Sequence, residues 1–307
     1  MSYGDRVLRM DKLSSIVPET ERLHELMIAV PIKEEVLIGL RNSAMIFIAR
    51  AMNINLISLN EKLFIDSINE NRKNLRNITP NGAVVPKREF IIEYNLFLNF
   101  WFQAVSPLVK LSSGLISRVR LTPNLRIKFG DEIKENINRP LNTSLPHSDA
   151  WLEGPYSYNC HVPLFGDHES NFLRFYQPKD VNEFREDFLS NAKTYNEMQW
   201  VMDFYKDCDA KPNINKINLS DYALLHNTHR DKGCSARISI DTTIVTEDFP
   251  VHPDRVCEYH ERIPYIGNDR LAMTSRSECD DLNPQKKSVF SHYTTGTLEF
   301  VEIDIDK

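Results

Sequence analysis

Several things are scarce in this chain, and each scarcity removes a class of function. Its five cysteines, at 160, 208, 234, 257 and 279, are odd in number and contain no Cys-x-x-Cys pair. That excludes a disulfide framework and a cysteine-based structural zinc site, and it fits reduced thiols in a cytoplasmic protein. Only ten glycines occur in 307 residues, with no Gly-x-Gly-x-x-Gly, Walker loop or Gly-x-Ser-x-Gly. A phosphate-cradling loop or a nucleophile elbow is therefore absent. No run of lysine and arginine is present, and the formal net charge is −6, so a nucleic-acid partner is not expected. No long apolar run is present either. The most apolar stretch, 90–116, is interrupted by Glu93, Asn95, Asn99, Gln103, Pro107 and Lys110, whereas a membrane span needs about 20 mainly apolar residues. The opening Met-Ser-Tyr-Gly-Asp-Arg-Val-Leu-Arg-Met-Asp-Lys is charged and lacks the apolar segment of a signal peptide.

What is present suffices for a core, at 41% hydrophobic and 26% charged residues. The first third reads as helical. Val36, Leu40, Ala44, Phe47 and Ala51 repeat at helical spacing over 33–53. A second helix is expected within 60–78 and a third over 88–105, where the aromatic residues Phe97, Phe100, Trp101 and Phe102 are core and Pro107 ends or kinks the helix. From 118 onward strands dominate: one or two over 118–129, then 157–164, 172–176, 222–226, 236–245 and 297–305. Residues 182–207 read as a helical insertion, and 251–296 as an irregular extension or lid. Helices first and many short strands afterwards point to an α+β or β-core protein.

The chemistry lies in Pro146-His147-Ser148-Asp149. On a strand, residues two apart share a face, so His147 and Asp149 are expected to offer an imidazole and a carboxylate to one ion. A third ligand must come from elsewhere, and Leu224-Leu-His226-Asn-Thr-His229-Arg230 holds two candidates. Two histidines and one carboxylate form the facial triad of non-haem iron(II) oxygenases. Eleven residues after His226, and eight after His229, stands Arg237-Ile-Ser239. If 236–245 is a strand, its guanidinium and hydroxyl share a face and can grip a carboxylate. A competing reading makes Arg237 the ion-pair partner of Asp241.

His147-x-Asp149, a late histidine and Arg237-x-Ser239 together resemble the iron(II)/2-oxoglutarate-dependent dioxygenase superfamily. Within it they resemble the phytanoyl-hydroxylase-like and streptomycin-biosynthesis-like branches. The matching pieces are His147-Ser-Asp-Ala-Trp151, Val162-Pro-Leu164 and Leu225-His-Asn-Thr228 with Arg237-Ile-Ser-Ile-Asp241, and they cover roughly 118–245. The resemblance implies a double-stranded β-helix (jelly-roll, cupin-like) core over 118–245. Helices in 1–117 would buttress it and 246–307 would extend it, all in one oxygenase domain. It implies Fe(II) on His147, Asp149 and His226, the spacing of eleven favouring His226 over His229. It also implies 2-oxoglutarate held at its far carboxylate by Arg237 and Ser239, with Asn171 and Asn159 as further polar neighbours and O2 as the oxidant.

The implied reaction is hydroxylation of a small polar metabolite, an amino acid, a sugar or a natural-product intermediate, with succinate and CO2 as co-products. Desaturation or ring closure stays open. Halogenating relatives lack the carboxylate that Asp149 supplies. His161, Arg174 and Arg230 are candidate substrate contacts, although His161, like His168, also reads as a core or rim histidine. Two other readings compete. One is a zinc hydrolase or isomerase on the same His-x-Asp…His site, for which the Arg237 clamp has no use. The other is a non-catalytic jelly-roll binding module. A homo-oligomer is left open.

Overall fold

The structure, a computed structural model, describes residues 1–72, 76–111, 116–120, 122–130, 141–246, 259–260, 270–274 and 298–302. Helix α1 (Tyr3–Ile16) starts at a capping box in which Ser2 and Asp5 satisfy each other's backbone N–H. A hairpin of β1 (Glu21–His24) and β2 (Met27–Pro31) follows. Helix α2 (Glu34–Met52) ends on Asn53 in the left-handed conformation, φ 56°. Helix α3 (Glu61–Asn71) is capped by the Asn60 side chain. The aromatic-rich helix α4 (Ile91–Leu111) contains Pro107 and continues past it, so the helix does not end there, one of the two outcomes, an end or a kink, that the sequence predicts. Proline removes the hydrogen bond to the carbonyl four residues back. Here Gln103 and Pro107 are both exposed, so water can take the place of the missing donor.

The strands are β3 (Ile116–Arg120), β4 (Asn124–Lys128), β5 (Ser157–Gly166), β6 (Asn171–Pro178), β7 (Tyr205–Cys208), β8 (Lys216–Asp221), β9 (Leu225–Arg230) and β10 (Arg237–Thr246), with the short helix α5 (Ala150–Glu153) between β4 and β5. β11 (Tyr259–His260), β12 (Arg270–Thr274) and β13 (Leu298–Glu302) come last. Most of the predicted extension 251–296 lies outside the described residues.

Two antiparallel sheets face each other. The larger runs β1-β2-β8-β5-β10, and the far edge of β10 is shared by β4 along its first half and β3 along its last. The smaller runs β7-β6-β9 and is extended by a bridge between His147 and His226. From β4 to β10 the chain crosses back and forth between the sheets, giving β8-β5-β10-β4 opposite β7-β6-β9-His147. That order is the double-stranded β-helix.

The large sheet has two unlike faces. Even-numbered residues on β5 and β10 (Tyr158, Cys160, Val162, Ile238, Ile240, Ile244) join Leu125, Ile127, Ile217 and Leu219 in the main core with α2 and α4. Residues of the opposite parity face inward and are almost all polar: Asn124, Arg126, Lys128, Asn159, His161, Ser220, Arg237, Ser239, Asp241 and Thr243. A strand alternates faces by geometry. The apolar half of each strand therefore buys stability against the helices while the polar half surrounds a cavity.

Three sequence expectations fail. Residues 182–207 form 3-10 turns (Val181–Glu183, Glu186–Leu189, Tyr195–Phe204) that lead into β7, and not an α-helical insertion. The strand predicted at 222–226 begins only at Leu225 and continues to Arg230, because a turn occupies 222–224. The first third is not purely helical, since β1 and β2 join the large sheet through β8. Among the described residues no helix is long and apolar enough to cross a membrane.

The helix-to-sheet core generates a direct test. Phe47 is 1% exposed and its ring contacts those of Phe90, Tyr94 and Phe97. Phe47→Ala should cost about 3–5 kcal/mol by cavity creation, read by denaturant unfolding. A loss below about 1 kcal/mol, against that range, would contradict the assignment of this layer as the main core.

Candidate metal centre

His147 and His226 form a doubly hydrogen-bonded bridge, each N–H donating to the other's carbonyl at 2.9 and 2.8 Å. Cross-strand partners project to the same face, and the two rings sit 4.3 Å apart. Asp149 does not continue that strand, as the sequence reading requires. It caps α5 with helical backbone angles, φ −66° and ψ −18°. The turn, and not strand parity, brings its carboxylate beneath the two rings. Ser148 pins the turn by donating to the Tyr222 carbonyl at 2.8 Å and accepting from Ala150 N–H at 3.0 Å. Trp151 donates to the Phe188 carbonyl at 2.7 Å.

His147 Nε2 lies 3.9 Å from Asp149 Oδ1, and His226 Nε2 lies 3.9 Å from Asp149 Oδ2. The three ligating atoms all fall within 4.8 Å of one another. His147 Nδ1 stands 2.8 Å from the Leu145 carbonyl. Assigning the proton to Nδ1 leaves the Nε2 lone pair aimed at the cluster, the arrangement a ligating histidine adopts. Tyr195 stacks on the His147 ring at 4.2 Å and 20°; the sequence reading gave Tyr195 no role.

Burial holds His147 well below its usual pKa, with His226 adding to the effect. Burial also lowers His226, against the pull of Asp149, and raises Asp149, against His226 and an Asn159 hydrogen bond. Neutral buried imidazoles facing a partly buried carboxyl are groups that a divalent cation would satisfy better than protons do. The donor set suits a metal that accepts nitrogen and oxygen together and leaves coordination positions open.

The cluster opens into a cavity of about 100 Å³ between the sheets. Arg237 lies on its wall, 1% exposed. Its Nε donates to Asn171 Oδ1 at 3.1 Å and its Nη1 to Ser239 Oγ at 3.0 Å. Asn171, fully buried, spends its own N–H groups on the Lys128 and Ser235 carbonyls at 2.9 and 3.0 Å, so its oxygen is fixed toward the guanidinium. Both partners of Arg237 are neutral, and burial lowers its pKa to about 10. Asp241 is not its ion-pair partner. That carboxylate takes Arg126, through Nε and through Nη2 at 3.0 Å, and Asn124. A buried cation without a counter-charge is costly, and an anionic ligand at Arg237 would remove that cost.

The other predicted residues divide. Asn159 lines the cavity but bonds to Asp149, placing it at the cluster and away from Arg237. His161 lines the cavity, 5% exposed, and its Nδ1 has no hydrogen-bond partner, so it is not a satisfied core histidine. His229 lies on the opposite face of β9 from His226, bonded to Asp231 at 2.8 Å and to Arg174 at 3.2 Å, away from the cluster. Arg174 shares that outer side and does not line the cavity; Arg230 reaches Ser144. The sequence reading missed Arg126, Lys128 and the buried Arg120–Glu153 pair, 2.7 Å apart. The alternation Asn124-Leu-Arg-Ile-Lys128 was the available signal for the first two.

No family model matches the chain, and no curated protein matches it in sequence. Solved structures similar to it include three non-haem enzymes. The epimerase SnoN of nogalamycin biosynthesis, in complex with Fe3+, alpha ketoglutarate and nogalamycin RO, has 11% identity and a TM-score of 0.40, covering 85% of this chain and 97% of its own. The alpha ketoglutarate dependent carbocyclase SnoK has 13% identity and a TM-score of 0.37, covering 70% and 84%. The monooxygenase ThoJ, as a nickel complex, has 8% identity and a TM-score of 0.35, covering 70% and 71%. Likeness at this level says nothing of what the chain binds or does.

The electrostatics give a pH test on metal-free protein. Burial, then Arg237, keeps His161 well below its usual pKa in the fold. Its contribution to stability is complete above about 6.5, the unfolded value. It is lost as pH falls, because the unfolded chain takes up the proton first. From pH 7 to 5 the wild type should lose stability relative to His161→Gln by up to about 1.4 kcal/mol per pH unit, measured by denaturant titration. A gap independent of pH would contradict the buried neutral imidazole.

Proposed function

We propose that this chain is an iron(II)- and 2-oxoglutarate-dependent oxygenase that oxidises a C–H bond, most simply by hydroxylation, in a small polar metabolite. One observation carries the reading: two buried imidazoles and a partly buried carboxylate share a small cavity with Arg237, a buried guanidinium lacking a carboxylate partner. The first feature suits a divalent metal with open positions, and the second suits a ligand that ends in a carboxylate away from the metal.

In this reading His147, Asp149 and His226 hold Fe(II), and Arg237 with Ser239 holds the far carboxylate of 2-oxoglutarate. Ferrous iron bound there with a 2-oxo acid would couple its oxidative decarboxylation by O2, giving succinate and CO2, to oxidation of the substrate. The protein's part is position and exclusion of water. Asn171 locks the Arg237 fork, so the ligand meets a preset geometry. Asn159 fixes the Asp149 carboxylate by a hydrogen bond. Leu173 and Phe175, on the inward side of β6, supply the cavity's apolar wall. The remaining wall carries Arg120, Glu153, Asp241 and Thr243. Charges of both signs there favour a small polar substrate over a lipid-like one.

The test is aerobic incubation of the protein with Fe(II) and 2-oxoglutarate, following succinate across a broad panel of polar metabolites. Turnover is expected at least as slow uncoupled decarboxylation. Asp149→Ala should abolish it together with iron retention. Arg237→Met should weaken 2-oxoglutarate binding by at least tenfold, since a charge-assisted bond contributes about 1.5–3 kcal/mol. No succinate with any candidate, or full activity in Asp149→Ala, would overturn the assignment.

A further inference from the structure

Behind Arg237 lies a second cavity, of about 340 Å³, between the β5–β6 and β7–β8 connections. That volume falls in the ~300–1,000 Å³ range of small-molecule sites. Three residues line both cavities: His161 and Arg237 from the large sheet and Leu173 from the small one. They form the partition between the two spaces. The outer cavity carries Lys211, Lys216 and His168 on its wall, with Glu169 as the acid among its lining residues. Lys216 is paired with Glu21 at 2.7 Å. The Lys211 ammonium instead stands over the Phe172 ring at 4.4 Å. It is exposed, so its charge is free to steer an anion.

The partition is built to yield. His161 Nδ1 has no hydrogen-bond partner, so turning that ring breaks no bond at this nitrogen. Leu173 is only partly buried and is held by packing alone. Arg237, in contrast, is fixed by Asn171 and Ser239. A route from solvent past Lys211 to the guanidinium therefore crosses two side chains that can move and ends on one that cannot.

We propose that the second cavity is the passage by which a dicarboxylate, the co-substrate inward and its shortened product outward, reaches and leaves Arg237, while the metal-side end of the first cavity stays with the oxidised substrate. The proposal rests on the functional reading above. It assigns Lys211 to electrostatic steering, and His161 with Leu173 to the moving partition.

The experiment is anaerobic stopped-flow mixing of the Fe(II) protein with 2-oxoglutarate, following the visible charge-transfer band of the chelate. Dissociation is followed by dilution or by competition with a colourless dicarboxylate. Lys211→Glu should slow formation at least fivefold at low ionic strength, with the difference shrinking as salt is added. His168→Trp, a plug in the cavity, should slow formation and dissociation together by at least tenfold and leave Kd within twofold. Lys211 is exposed, so its variant keeps the test decisive should the tryptophan not be tolerated. Wild-type rates in Lys211→Glu and in every folded plug variant would overturn the passage while the co-substrate assignment stands. Absence of the band in wild-type protein would overturn both.

Discussion

The structure depends on one constraint, the alternation of a β-strand. Each inner strand of the large sheet places one residue toward the helices and the next toward the cavity. On β10 the first set is Ile238, Ile240 and Ile244, and the second is Arg237, Ser239, Asp241 and Thr243. A one-residue slip would bury charges against α2 and α4 and expose isoleucines to the cavity. The hydrophobic packing that stabilises the fold is thus the same force that fixes where the polar groups stand. Burial of the α2 and α4 faces sets the register of the site.

A polar interior between two sheets is expensive, and the molecule meets the expense in two ways. Most of the inward charges are paired with each other: Arg126 with Asp241, Arg120 with Glu153. Lys128 donates to Thr143 at 2.8 Å. In the proposed reading the three-residue cluster takes a cation and Arg237 an anion. The unpaired groups, more than the paired ones, are what carry the reading of function, because a buried group without a partner is tolerated where a ligand completes it.

Much of this was legible in the chain. The i, i+3/i+4 pattern over 33–53 gave α2, and the alternation of 236–245 gave β10 and the shared face of Arg237 and Ser239. His226 was separable from His229 by the spacing of eleven to Arg237 that the resemblance favours, and β9 then places His229 on the opposite face. The legible signals were periodic ones. What escaped was aperiodic or long-range. Asp149 reaches the cluster through a turn held by Ser148 and Tyr222, which no strand pattern encodes. Tyr195 comes from a 3-10 segment that composition alone presents as a helix. The pairing of Asp241 with Arg126 in place of Arg237 depends on which strand lies beside β10, a fact of topology. The β1–β2 hairpin is short, and its place in the sheet is set by β8, nearly two hundred residues away.

The central claim is that residues distant in sequence converge on one metal, with a fixed guanidinium at the far end of the same cavity. A crystal structure of the protein loaded anaerobically with Fe(II) and 2-oxoglutarate tests it most directly. The account predicts the ion on His147 Nε2, Asp149 and His226 Nε2, with the distal carboxylate on Arg237 and Ser239. An ion bound through His229, or a 2-oxoglutarate carboxylate placed away from Arg237, would contradict it.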